Sequence, residues 1–257
     1  MSTSLEKYLR EKRENKDLLL MTHVVCGYPS FEDNFKELEI MAEAGVEMVE
    51  LQFPFSEPSA DGPLFVKANQ ESIEKGTTVE QCLEFMKKVS DAFPFKVLMM
   101  GYYNTAYKMG HAQYIQSLKE AGACGFILPD LPIEEAGELH TLARENDMAP
   151  ILLMTPTNTD KRLAALGEKA EGFIYAVARK GVTGPKTEMG DELEGFLNKC
   201  RDMINVPLAV GFGISSAEDM AYLKGKGDIA IIGTAALRAW EAGREEGLRK
   251  FFRDLLK

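Results

Sequence analysis

The sequence has little of what builds a metal cluster or a disulfide framework. Its four cysteines, Cys26, Cys82, Cys124 and Cys200, are scattered and form no C-x-x-C pair. Its three histidines, His23, His111 and His140, are equally far apart. No zinc site or disulfide scaffold is suggested, and scattered free thiols fit a reducing, cytoplasmic setting. Positive charge is also short: Lys plus Arg is 30 against 40 Asp plus Glu, a net charge of −10. That argues against nucleic-acid binding, which needs a basic footprint. A small anionic substrate is still allowed, because local NH groups can hold it. No apolar run approaches the ~20 residues of a membrane-spanning helix. Residues Met1 to Lys7 lead into charge, so no signal peptide is expected. Low-complexity linkers are absent, and residues 1–257 are read as one domain.

What is present is an alternation. Short apolar, β-branched runs predict strands at Leu18–Val25, Met48–Leu51, Lys96–Met100, Gly125–Leu128, Ala149–Leu153, Phe173–Val177, Pro207–Val210 and Asp228–Ile232. Helical patterns lie between them, at Phe31–Ala44, Val79–Ala92, Ala112–Ala121, Ile133–Glu145, Lys161–Glu168, Leu193–Met203, Ala217–Lys226 and Glu241–Leu256. Strands alternating with helices make βαβ units and a parallel sheet. About eight such units in 257 residues predict a single-domain (β/α)8 TIM barrel. A doubly wound open sheet is the alternative, but no early G-x-G-x-x-G turn supports it. Ser4–Asn15 reads as an extra N-terminal helix at the barrel bottom.

Two loops, Gln52–Pro63 and Ala178–Gly190, are long and follow strand C-terminal ends, the face where barrel active sites sit. Glu50 ends the second strand and shares a face with Met48, while Val49 and Leu51 share the other. An outward carboxylate would be costly against packed helices. The inward orientation makes Glu50 either a general acid or a structural carboxylate bonded to loop NH groups. Asp61, in Ala60-Asp61-Gly62, is by type a turn residue. With Glu50 it would also make an acid–base pair whose roles are set by environment. Gly211-Phe212-Gly213 and Gly233-Thr234 follow the last two strands. Such glycines either make tight turns or let backbone NH groups, with a helix starting near Thr234, approach a phosphate. His23 reads as a hydrogen-bonded structural residue.

The run Phe53-Pro54-Phe55-Ser56-Glu57-Pro58-Ser59-Ala60-Asp61-Gly62-Pro63 resembles the signature of tryptophan synthase alpha subunits. Tyr102-Tyr103-Asn104, Pro129-Asp130-Leu131-Pro132, Gly181-Val182-Thr183-Gly184 and Gly211-Phe212-Gly213-Ile214-Ser215 extend the likeness over the whole chain. The resemblance implies a lyase that cleaves indole-3-glycerol phosphate, by retro-aldol chemistry, to indole and glyceraldehyde 3-phosphate in tryptophan biosynthesis. It maps the general acid/base onto Glu50 and the indole-NH carboxylate onto Asp61. Tyr175, Thr183, Ile127, Phe212 and Tyr102 become substrate-binding residues, and Gly184, Gly213, Gly233 and Thr234 phosphate-binding ones. The loop carrying Thr183 becomes a lid. The resemblance implies no metal and no cofactor in this chain. Pyridoxal phosphate is expected in a beta subunit, joined in an alpha2beta2 complex.

The chain departs from that pattern where Gln52 replaces a glycine and Glu57 an aspartate, next to Phe53. Ser59, Tyr28 and Thr105 are further departures. Their position predicts an altered contact with the beta subunit. Three other readings stay open. One is a free-standing lyase of the same chemistry. Another is a degenerate barrel that activates a partner, against which the presence of both Glu50 and Asp61 argues. The last is a different phosphate-binding barrel enzyme, such as an isomerase of amino-acid biosynthesis.

Overall fold

The computed structural model describes residues 2–177 and 191–257. Strands β1 (Leu19–Val25), β2 (Met48–Gln52), β3 (Lys96–Met100), β4 (Gly125–Ile127), β5 (Ala149–Met154), β6 (Ile174–Val177), β7 (Leu208–Gly211) and β8 (Ile229–Ile232) pair in parallel in chain order. The sheet closes where β8 pairs with β1, Leu19 opposite Ile229. Around it lie α1 (Ser4–Arg13), α2 (Phe31–Glu43), α3 (Pro63–Glu74), α4 (Val79–Ala92), α5 (Tyr103–Met109) and α6 (His111–Glu120). The ring continues with α7 (Gly137–Glu145), α8 (Asp160–Glu168), α9 (Asp191–Asp202), α10 (Ala217–Leu223) and α11 (Thr234–Leu255). This is a (β/α)8 barrel. No helix among the described residues is long and apolar enough to cross a membrane.

Strand alternation divides the apolar residues into two cores. Leu19, Met21, Met48, Leu98, Ile151 and Ile231 point inward and fill the barrel. Leu20, Val24, Val49, Leu51, Val97 and Met99 point outward and pack beneath the helices. Helix α1 is capped by the Thr3 hydroxyl, which accepts from the Glu6 amide. It sends Leu5 and Leu9, one turn apart, into the interior cluster. The barrel bottom is thereby plugged, and the polar inward residues collect at the opposite end. There β1 ends with His23 pointing in, and β2 with Glu50 and Gln52, all buried.

Helix α3 was not foreseen from the sequence. Its Pro63 sits at the first helical position, where a missing NH costs nothing. Its buried face mixes Phe65 and Ala68 with Asn69 and Ser72. Asn69 Oδ1 accepts from the Phe55 amide at 2.9 Å, and Ser72 Oγ donates to the Cys26 carbonyl at 2.6 Å. Polar residues used this way leave no hydrophobic period to read. Helix α5 was likewise missed. Helix α11 starts at Thr234, where a helix start was expected, runs on through the helix expected at Glu241–Leu256, and kinks where Arg244 takes φ 51°. The predicted helix at Ile133 begins instead at Gly137.

Behind the barrel, Glu37 of α2 is buried and pushed up to about 8, chiefly by desolvation. Its Oε2 accepts from Asn34 Nδ2 at 3.3 Å, and its Oε1 has no partner. The unfolded chain ionises this carboxyl above about pH 4.5, whereas the folded chain keeps it protonated to about 8. Folding stability is therefore lost as pH rises through that window. Glu37→Gln is expected to be more stable than the natural chain at pH 8, by on the order of 3 kcal/mol, with the two converging near pH 4. Paired denaturant melts at both pH values check this. An equal difference at both would mean that proton linkage is not the cause.

Candidate active site

The polar end of the barrel is a hydrogen-bonded cluster. In the parallel register of β1 and β2, His23 lies opposite Glu50. Its Nδ1 is 3.8 Å from Glu50 Oε2, and its Nε2 is 2.8 Å from Gln52 Oε1. Gln52 Nε2 donates to Asp61 Oδ2 at 2.7 Å. The Tyr102 hydroxyl donates to the same oxygen at 3.1 Å and accepts from the Ala60 amide at 3.1 Å. Tyr102 also stacks on Phe55, with ring centroids 4.8 Å apart, and His23 stacks on Phe65 at 4.3 Å. The loop after β2 is thus pinned over the barrel mouth, with Asp61 turned inward.

The two carboxyls differ in support. Glu50 is buried, and its Oε1 has no hydrogen-bond partner. Burial, and then the nearby Asp61 charge, push it up to about 8. Asp61 is raised only to about 6, because the donors Gln52 and Tyr102 offset part of its desolvation. At neutral pH one carboxyl is therefore an acid and the other a carboxylate, the division of labour that acid–base chemistry needs. Burial lowers His23 to about 4, so the ring between them is neutral. Tyr175 of β6 lines the same cavity, and burial and then the charges of Glu50 and Asp61 push its hydroxyl well above the usual range.

A cavity of about 510 Å³ opens on this cluster. Its inner wall includes His23, Glu50, Asp61, Ile127 and Tyr175, and its outer wall runs over the loops after β4 and β5 to Arg162. Convergent polar groups beside apolar walls, Ile127 and Ile151 among them, suit a flat aromatic ligand with a polar edge. Beside it, Gly233 is the N-cap of α11 and, having no side chain, makes no cap bond to the first amides of the helix. A Cβ on Gly233 would meet the Phe65 ring at 3.3 Å and His23 Cβ at 3.8 Å, which sets this helix start against the site. Gly213, at φ +87°, adopts a conformation that side chains disfavour. Among the described residues no group of three or more His, Cys, Asp or Glu is arranged to hold a metal.

The profile of the family described as tryptophan synthase alpha chain matches residues 9–254. The chain belongs to that family. A tryptophan synthase alpha chain of Desulfotalea psychrophila is 46% identical over 235 residues, 91% of this chain and 92% of the relative. One from Syntrophotalea carbinolica is 43% identical over 251 residues, 98% and 99% of the two. Among solved structures, tryptophan synthase of Mycobacterium tuberculosis aligns with a TM-score of 0.90 at 27% identity, over 99% of this chain and 97% of that one. A tryptophan synthase complex from Pyrococcus furiosus aligns at 0.85 and 26% identity, over 93% and 97%. Membership of the tryptophan synthase alpha chain family makes this a lyase of amino-acid biosynthesis acting on indole-3-glycerol phosphate.

The structure brings Glu50, Asp61, Tyr102, Tyr175 and Ile127 to one end of the barrel. It places Phe212 elsewhere than the cavity wall: the inward position there is Gly211, and Phe212 packs outward, edge-on to Tyr222 at 6.4 Å. Thr183 and Gly184 lie outside the described residues. The expectation that Gln52 and Phe53 alter a subunit contact is corrected. Gln52 is fully buried facing inward, and Phe53 is 3% exposed beneath the helices. Only Glu57 of the three is exposed. Sequence reasoning did not place Gln52 in the site, and it gave His23 only a structural part. Gln52 was findable, because positions 48, 50 and 52 of one strand share a face.

Proposed function

We propose that Glu50 and Asp61 carry the retro-aldol cleavage of indole-3-glycerol phosphate to indole and glyceraldehyde 3-phosphate. The observation behind this is a buried Glu50, protonated at neutral pH, beside a donor-held Asp61 on one cavity. Glu50 gives its proton to indole C3, and positive charge builds on the ring nitrogen. Asp61, ionised, accepts the N–H and stabilises that charge. Glu50, now a carboxylate, takes the proton of the side-chain hydroxyl next to the ring. The O–H pair becomes the aldehyde C=O, the carbon–carbon bond breaks, and its pair returns to the ring. One proton leaves Glu50 and one comes back, so the enzyme is regenerated.

Ile127 lines the slot proposed for the indole ring, and Tyr175 and Tyr102 border it. Gly213, Gly233 and Thr234 are proposed to hold the phosphate with backbone amides, joined by Gly184, with Thr183 on a closing lid. Only proton transfers are needed, so the proposal assigns no cofactor to this chain and puts pyridoxal phosphate in a partner beta subunit. The single barrel, residues 1–257, is proposed to work in the cytoplasm as half of an alpha2beta2 assembly. Purified chain should release indole slowly from indole-3-glycerol phosphate, and at least about ten-fold faster with the beta subunit of the same source. A fast rate indifferent to that subunit would favour a free-standing lyase. No indole from folded protein in either case would overturn the assignment.

A further inference from the structure

Gln52 is a buried amide with both ends occupied, set between the two carboxyls of the site. Asp61 Oδ2 already accepts a hydrogen bond from the Tyr102 hydroxyl. An ionised Asp61 therefore needs the NH2 end of Gln52, and the amide oxygen must then face His23. That oxygen accepts only if His23 carries its proton on Nε2. In the neutral ring Nδ1 is then a lone pair, and it faces Glu50 Oε2 at 3.8 Å. One choice of amide orientation thus fixes a carboxylate, a tautomer and the acceptor offered to Glu50. It also gives Asp61 Oδ2 two donors, which among the described residues leaves Oδ1 as the oxygen without an assigned donor.

We propose that Gln52 is a positioning residue: its amide NH2 holds Asp61 ionised, and its amide oxygen fixes the His23 tautomer with the Nδ1 lone pair on the Glu50 side. Hydrogen bonds run from His23 through Gln52 to Asp61, and Glu50 lies beside the far side of the His23 ring at 3.8 Å. This proposal rests on the lyase assignment for its kinetic consequence, but not for its structural one. Among the described residues the groups near Asp61 are Gln52 from β2, Tyr102 after β3, Glu50 on the same strand as Gln52, and Tyr175 from β6. Of these, Gln52 and Tyr102 donate to the carboxylate and favour its charged form.

Gln52→Met keeps the shape and removes both hydrogen bonds. Gln52→Glu keeps an acceptor for His23 but sets a second carboxyl against Asp61 Oδ2. Two readouts are taken on each full-length variant. One is a titration of the Asp61 carboxyl by carbon NMR, with the His23 tautomer read from its ring nitrogens. It requires no turnover. The other is kcat/KM for indole release against pH. With Met, the Asp61 titration is expected to move up by about one pH unit, and His23 to become a mixture of tautomers. The low-pH limb of kcat/KM moves with it, a loss of about five-fold at pH 6 that largely disappears by pH 8. With Glu, the Asp61 titration moves further up and the loss at pH 6 is larger. Unmoved titration and tautomer in the Met variant would overturn the proposal and leave Gln52 as filler. So would a uniform loss at every pH, which marks a packing defect. If the natural chain releases no indole, the lyase assignment falls, and the titration and tautomer still decide the role of Gln52.

Discussion

Glu50→Gln is expected to lower indole release by roughly 10³-fold, within the range that a positioned acid–base group contributes. The reason is specific to its surroundings. At neutral pH the natural residue carries a proton because burial pushes it up to about 8, and that is the proton delivered to C3. The amide has none to give and cannot take one back from the hydroxyl. Substrate binding should change little, since the cavity keeps its shape, so the loss falls on kcat. The fold should not suffer. Glu50 Oε1 is buried without a partner, and the carboxyl resists ionisation up to about pH 8. Its folded pKa lies above the unfolded value, so it costs stability progressively between about pH 4.5 and 8. The Gln variant should be at least as stable as the natural chain at pH 8, while nearly inactive. Stopped turnover with an undiminished melting temperature checks both halves. Retained turnover would remove Glu50 from the mechanism.

Asp61→Asn is expected to cost roughly 10²–10³-fold in kcat/KM, the scale of losing one electrostatic stabiliser in a dry site. It has a second consequence. The Asp61 charge is the second cause of the raised Glu50, after burial. Removing it lets Glu50 ionise more easily, so the high-pH limb of the residual activity should shift downward. The low-pH limb, which reports Asp61 itself, should vanish. A pH profile of the variant separates this account from a simple loss of indole binding, which would lower the rate and leave both limbs in place.

Much of this was legible in the sequence, for physical reasons. Strand parity alone put Glu50 on the inward face with Met48, and the eight β-branched runs specified the closed sheet. The same parity carries Gln52 inward, yet the residue was read as a surface departure because its neighbours Phe53 and Glu57 lie in a loop. Phe212 shows the converse. A glycine–aromatic–glycine run after a strand suggests a ligand contact, but alternation gives the inward place to Gly211 and turns the ring out to Tyr222. Helix α3 was hidden because its inner face uses Asn69 and Ser72 to satisfy loop backbone, which no hydrophobic pattern records. The partners of Asp61 were hidden because Gln52, Tyr102 and Asp61 come from three chain segments and meet only when the barrel closes.

The central claim is that one carboxyl works protonated and the other ionised at the same pH. The most direct measurement is kcat/KM for indole release by the natural chain, with its beta subunit, from pH 5 to 9.5. The account predicts a bell, rising as Asp61 ionises near about 6 and falling as Glu50 deprotonates near about 8. A profile that is flat across that range, or that keeps rising past pH 9, would contradict the assignment of the acid to Glu50.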